Sequence, residues 1–124
     1  METIKSPRIL VSVKSWRNPV LGADDAWHYK LKVSNHNFLA NSSDLRPYLF
    51  LALVPPDITD YSEASHACLL LRQAVYWLSF EDTEPVHSAP ENEKVVLVPR
   101  LHLLTADTLR ALVVGDEAAA KVSA

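Results

Sequence analysis

The chain has 124 residues, 48% of them hydrophobic, and a formal net charge of −3, which together indicate one ordinary globular domain. No apolar run approaches the ~20 residues that cross a bilayer, and the N-terminal METIKSPR lacks the hydrophobic region of a signal peptide. The single cysteine, Cys68, excludes an internal disulfide, so we expect a cytoplasmic protein with a buried thiol. Only Gly22 and Gly115 are glycines, which excludes glycine-rich phosphate loops.

The first predicted element is a β-strand from Ile9 to Ser15, entered through the extended backbone that Pro7 imposes. Its alternation puts Ile9, Val11 and Val13 on one face and Leu10, Ser12 and Lys14 on the other. The pattern thus places a lysine on the same face as a small hydroxyl residue.

Trp27–Val33 alternates apolar and polar residues, which predicts a second, half-buried strand that pairs with the first as a long-looped hairpin. Lys30 and Lys32 lie on its polar face. They either contact phosphates or protect an exposed strand edge. Next, Ser34 or Asn35 is expected to cap a short helical turn, with Phe38 and Leu39 facing inward.

The run PYLFLALVP, residues 47–55, is continuously apolar and bounded by prolines, which predicts a central strand buried on both faces. A further strand is predicted from about Arg72 to Phe80, followed by an acidic loop and a strand from Lys94 to Pro99. These last two strands are expected to form an antiparallel pair.

A C-terminal helix is predicted from a Thr105 cap to about Val114, with Asp107 favouring its dipole and Gly115 ending it. The side chains expected to face the sheet are Leu104, Leu109, Leu112 and Val113. Residues 115–124 are expected to form a frayed tail. The predicted fold class is therefore α/β (α+β): one domain over 1–124, with a mixed, mostly antiparallel sheet of about five strands and a C-terminal helix.

Six segments in this order resemble the bacterial family catalogued as domain of unknown function 4365, over about Ser6 to Val114. They are KSPRILVSVK, WHYKLKVSNHNFL, YLFLALVPPD, LLLRQAVYWLSF, VVLVPR and LLTADTLRAL. The resemblance implies a restriction-endonuclease-like fold of the PD-(D/E)XK kind and metal-dependent cleavage of nucleic acid. In such a site acidic groups hold a divalent cation, Mg²⁺ if activity is retained, and a lysine stabilises the developing charge.

The resemblance assigns the catalytic lysine to Lys14 and the acidic position two residues earlier to Ser12, with Leu10 where a polar residue is usual. Serine is too short and too weak an acceptor to replace a carboxylate. The aspartate strand that the family places upstream would have to lie within Met1–Lys5. We therefore expect a truncated or catalytically inactive nuclease-like domain, or alternatively a non-catalytic protein-interaction or DNA-binding module.

Other groups add little to a metal site. Asp24 and Asp25, and the acids after YWLSF (Glu81, Asp82 and Glu84), are expected to be solvated, and the five histidines lack zinc-ligand spacing. Arg72 and Arg100 either bind phosphate or pair with an acid. With Lys30 and Lys32, Arg72 forms the predicted nucleic-acid contacts. The expected partners are DNA, or a homodimer mate or another protein that completes the sheet edge.

Overall fold

The computed structural model describes residues 8–17, 19–42, 44–53 and 74–122. This part of the chain holds five strands and three helices. In chain order they are β1 (Ile9–Trp16), β2 (Ala26–Lys32), α1 (Val33–Ala40), β3 (Arg46–Leu53), β4 (Val75–Ser79), β5 (Glu93–Pro99), α2 (Ala106–Val114) and α3 (Glu117–Val122). Cys68 and Arg72 lie outside the described residues, so the expectations for these two side chains stay predictions.

Three strands form one sheet in the order β1-β3-β4. β1 runs parallel to β3, with Lys14 opposite Leu51, and β4 runs antiparallel to β3, with Trp77 opposite Phe50. All six residues from Pro47 to Ala52 are buried. The prediction of a central strand buried on both faces is confirmed for these residues.

β2 and β5 form a separate antiparallel pair, in which Tyr29 lies opposite Val96. The predicted hairpin of the first two strands, and the predicted pairing of the strand ending in YWLSF with KVVLVP, are therefore wrong. Burial explains the actual pairing. β1 has apolar residues on both faces and joins the doubly covered β3, whereas β2 and β5 each keep one polar or exposed face. The mixed, mostly antiparallel character is confirmed, but it is divided between two sheets.

The two faces of the three-stranded sheet support separate hydrophobic clusters. The face toward β2 and β5 packs Leu49 and Leu51 against apolar side chains of those strands and of α1. The opposite face packs Tyr48, Phe50 and Trp77 against Leu112 and Ala120 of the C-terminal helices. The domain is thus layered: helices, three-stranded sheet, then the two-stranded sheet with α1.

Helix α1 starts directly at the end of β2, without the side-chain cap expected from Ser34 or Asn35. The first amides instead donate to the backbone before β5: Val33 N–H to the Asn92 carbonyl and Ser34 N–H to the Pro90 carbonyl. Leu39 is buried as predicted. The inward direction predicted for Phe38 is wrong, because its side chain is 62% exposed.

Helix α2 begins and ends as predicted. The Thr108 N–H donates to the Thr105 hydroxyl at 3.1 Å, and Gly115 adopts a left-handed φ of 88°. Leu112 is fully buried, but Leu109 is 38% exposed and does not face the sheet as predicted. The predicted frayed tail is wrong for residues 117–122, which form α3 and bury Ala120. No helix within the described ranges is long and apolar enough to span a membrane.

Candidate functional site

Lys14 and Ser12 lie on one face of β1, as the alternation predicts. They share that face with Leu10 and Trp16, whose side chains pack on the cluster between the two sheets. The neighbouring positions on β3 are Leu49 opposite Ser12 and Leu51 opposite Lys14, and both leucines are fully buried. The sheet surface around Lys14 is therefore apolar.

The two acids of the loop before β2, Asp24 and Asp25, each accept a hydrogen bond from a basic side chain. Asp24 Oδ1 accepts a hydrogen bond from His28 Nε2 at 2.9 Å, and this bond lowers the pKa of Asp24 below its ordinary value. Asp25 Oδ1 accepts from Arg100 Nε at 2.7 Å, and this bond raises the pKa of Arg100. The pairing alternative is thus confirmed for Arg100. Across the described ranges, no three His, Cys, Asp or Glu side chains come together as a metal site.

Lys30 and Lys32 are exposed on the outer face of the two-stranded sheet. Their cross-strand partners on β5 are Val95 opposite Lys30 and Glu93 opposite Lys32. Lys14, by contrast, belongs to the face of the other sheet that packs inward. The fold therefore does not bring Lys14 together with the two predicted phosphate-contacting lysines, and the surface around those two is mixed rather than basic.

A cavity of about 370 Å³ lies where β1 ends beside β2. Its lining comes from both sheets and from the connection between them. These residues are Trp16, Val20, His28, Tyr29, Lys30 and Glu93. We call this space the β1-end cavity. It combines two aromatic rings with a lysine, a histidine and a carboxylate, the kind of mixture that small-molecule sites use.

The aromatic wall of the β1-end cavity is held by ring contacts. The Trp16 ring meets Tyr29 at 5.2 Å and 73°, and Trp27 at 6.5 Å and 81°, both edge-to-face. Burial raises the pKa of the Tyr29 hydroxyl, and the nearby Glu93 carboxylate raises it further. Tyr29 is therefore neutral at physiological pH and keeps its hydroxyl proton.

The imidazole of the β1-end cavity is positioned by a glycine. A Cβ atom on Gly22 would clash with His28 Nε2, so a larger residue there would displace the imidazole from its present position. Asp24 then holds the same nitrogen through the hydrogen bond described above. The small residue at position 22 and the hydrogen bond to Asp24 together set the position of the His28 ring in the cavity lining.

A second cavity, of about 470 Å³, lies beside α1. It is lined by Leu10, Phe38, Asn41, Ser42, Asp44 and Leu45. Asp44 is the one ionisable side chain among the described residues that line it.

Sequence reasoning included Lys30 among the site residues but gave Trp16 and Glu93 no role. The alternation of β1 placed Trp16 on the Lys14 face, which was the available signal. The cavity itself depends on β2 lying over the end of β1, and no local pattern encodes that arrangement.

Comparison of this chain with protein families, with characterised proteins and with solved structures finds no match. The family resemblance and the nuclease-like function accordingly stay predictions.

Proposed function

We propose that this chain is a nuclease-like domain that does not cleave nucleic acid by itself and serves as an interaction module. In this proposal β1 pairs with a strand of another polypeptide, and that polypeptide is a second copy of the chain. The observation that carries the proposal is the position of β1 at an edge of the sheet that the described strands form.

The surroundings of Lys14 support the non-catalytic part. A metal ion beside this lysine needs several oxygen ligands within about 2–2.5 Å. The side chains next to Lys14 on its own face are instead Ser12 and Trp16, and across the strand pair lies Leu51. Among the described residues, no carboxylate stands next to Lys14 on this face of the sheet.

The edge position of β1 supports the interaction part. β1 pairs along its whole length with β3 on one side, and no described strand pairs with its other side. It has eight residues, contains no proline, and exposes 59% of Val13. The one charged residue of β1, Lys14, lies on the face between the two sheets, and the free N–H and C=O groups of an edge strand pair readily with another strand.

A second copy suits this edge because β1 has apolar residues on both faces. An identical strand therefore offers matching side chains on each side of an extended sheet. Twofold pairing of identical edges is also a closed arrangement that needs no further component.

The catalytic part is tested by incubating purified protein with supercoiled plasmid and Mg²⁺ or Mn²⁺. We expect no nicking by the unaltered chain or by Lys14→Ala. Metal-dependent nicking that Lys14→Ala abolishes and Lys32→Ala leaves unchanged would overturn this part of the proposal.

The interaction part is tested by size-exclusion chromatography with light scattering over a range of protein concentrations. We expect a dimer that Val13→Lys weakens, because a charged side chain is then placed at the new strand pair. Val95→Lys is the matched control, since Val95 is 47% exposed on a different sheet. A folded protein that stays monomeric throughout, or equal weakening by both variants, would contradict the proposed pairing.

A further inference from the structure

We propose that the β1-end cavity binds a nucleoside monophosphate unit whose base carries an exocyclic amino group. Trp16 supplies an aromatic surface for the base, Lys30 a cation for the phosphate, and Glu93 an acceptor for the amino group. The site uses Trp16 at the end of β1 together with side chains of β2 and β5, and it adds a ligand to the proposed interaction role.

The aromatic part of the argument starts from Trp16. Its ring is held nearly perpendicular to Tyr29 and Trp27, so it is a fixed wall, and it is only partly buried. Every base can stack on an aromatic ring, because each base presents a π-face. Because ring contacts already hold Trp16 in place, stacking of a base on it costs little additional side-chain entropy.

The cationic part of the argument starts from Lys30. Among the described residues Lys30 takes part in no ion pair, whereas the other cationic candidate in the lining, His28, is already hydrogen-bonded to Asp24. Lys30 is also exposed, so its ammonium group meets an incoming phosphate without a buried partner to displace. A charge-assisted contact of this kind is stronger than a neutral hydrogen bond.

Glu93, the acidic residue in the lining, gives the site its preference for bases that carry an exocyclic amino group. A carboxylate repels phosphate but accepts hydrogen bonds from the amino groups of adenine, cytosine and guanine. Glu93 lines the same cavity as the aromatic side chains of Trp16 and Tyr29. Bases that present a carbonyl at the corresponding position, such as uracil, leave Glu93 without a donor. The volume of about 370 Å³ falls within the range of about 300–1,000 Å³ for small-molecule sites.

The test is a titration of the whole chain followed by ¹H–¹⁵N NMR, which resolves the indole N–H signals of the tryptophans. AMP is expected to shift the Trp16 signal, with UMP, adenosine and inorganic phosphate each binding more weakly. Lys30→Ala is expected to weaken AMP binding about tenfold, the loss of one charge-assisted contact. Glu93→Gln is expected to reduce the preference for AMP over UMP.

Lys32→Ala is the matched control, because Lys32 lies on the same exposed face of β2 but does not line the cavity. It is expected to leave AMP binding unchanged. A short oligodeoxyadenylate identifies the source: tighter binding than AMP indicates a nucleic-acid strand, and equal binding indicates a free nucleotide. No Trp16 shift with millimolar AMP, equal effects of the two lysine variants, or phosphate binding as tight as AMP would overturn the proposal.

Discussion

The substitution Leu112→Ala tests how much the packing of α2 against the three-stranded sheet contributes to the free energy of unfolding. Leu112 is fully buried and packs in one cluster with Tyr48, Phe50, Trp77 and Ala120. Leu109 lies on the same helix but is 38% exposed. Alanine at either position changes helix propensity equally, so the difference between the two variants isolates tertiary packing.

The expected cost follows from the buried volume. Leu→Ala removes about three CH₂ equivalents, at about 0.8 kcal/mol each, or about 2.4 kcal/mol of transfer free energy. The residual cavity adds to this, since fully buried Leu→Ala changes cost about 2.7–5 kcal/mol. We expect Leu112→Ala to lower the free energy of unfolding by about 3 kcal/mol and Leu109→Ala by about 1 kcal/mol or less. The first loss corresponds to a fall in Tm of roughly 10 °C.

Urea denaturation followed by tryptophan fluorescence measures both costs, because Trp77 lies in the same cluster as Leu112. The slope of the free energy against urea should stay unchanged if both variants unfold as single units. Equal costs for the two substitutions, or a larger cost for Leu109→Ala, would refute the docking of α2 through Leu112.

The stacked imidazole of His102 lies 4.0 Å from the Trp77 ring, and burial holds its pKa below the ordinary 6.5. The unfolded chain therefore binds the proton more readily, so the free energy of unfolding should fall as pH drops below about 6.5. In acid titrations His102→Gln should make this fall less steep, whereas the control His87→Gln, at an exposed position, should not. Gly115→Ala should cost about 1 kcal/mol or more in urea denaturation because φ is 88°, and no measurable loss would contradict that conformation. Burial and the hydrogen bond to Glu117 raise the pKa of Tyr48, so the free energy of unfolding should fall above about pH 10. The fall should be less steep in Tyr48→Phe, and an equally steep fall in the two proteins would refute the link to Tyr48.

Local patterns were enough to predict where most elements lie. The period-2 alternation of Trp27–Val33 predicted the facing of the side chains as far as Lys32, where β2 ends and α1 begins, and the apolar run of β3 predicted its central place. Thr105 and Gly115 marked both ends of α2, because capping depends on neighbouring backbone groups alone. The alternation of β1 likewise put Ser12 and Lys14 on one face.

Strand partners and the β1-end cavity were decided by the tertiary structure. Strand pairing depends on which strands can be covered on both faces, and several distant segments decide this together. For this reason β1 pairs with β3 and not with β2 as predicted. The same competition for burial turned Phe38 and Leu109 outward and drew Ala120 into the core. Sequence therefore determined where most of the elements lie and the facing of β1 and β2, whereas the assembly of the two sheets brought Trp16 and Lys30 into the lining of one cavity.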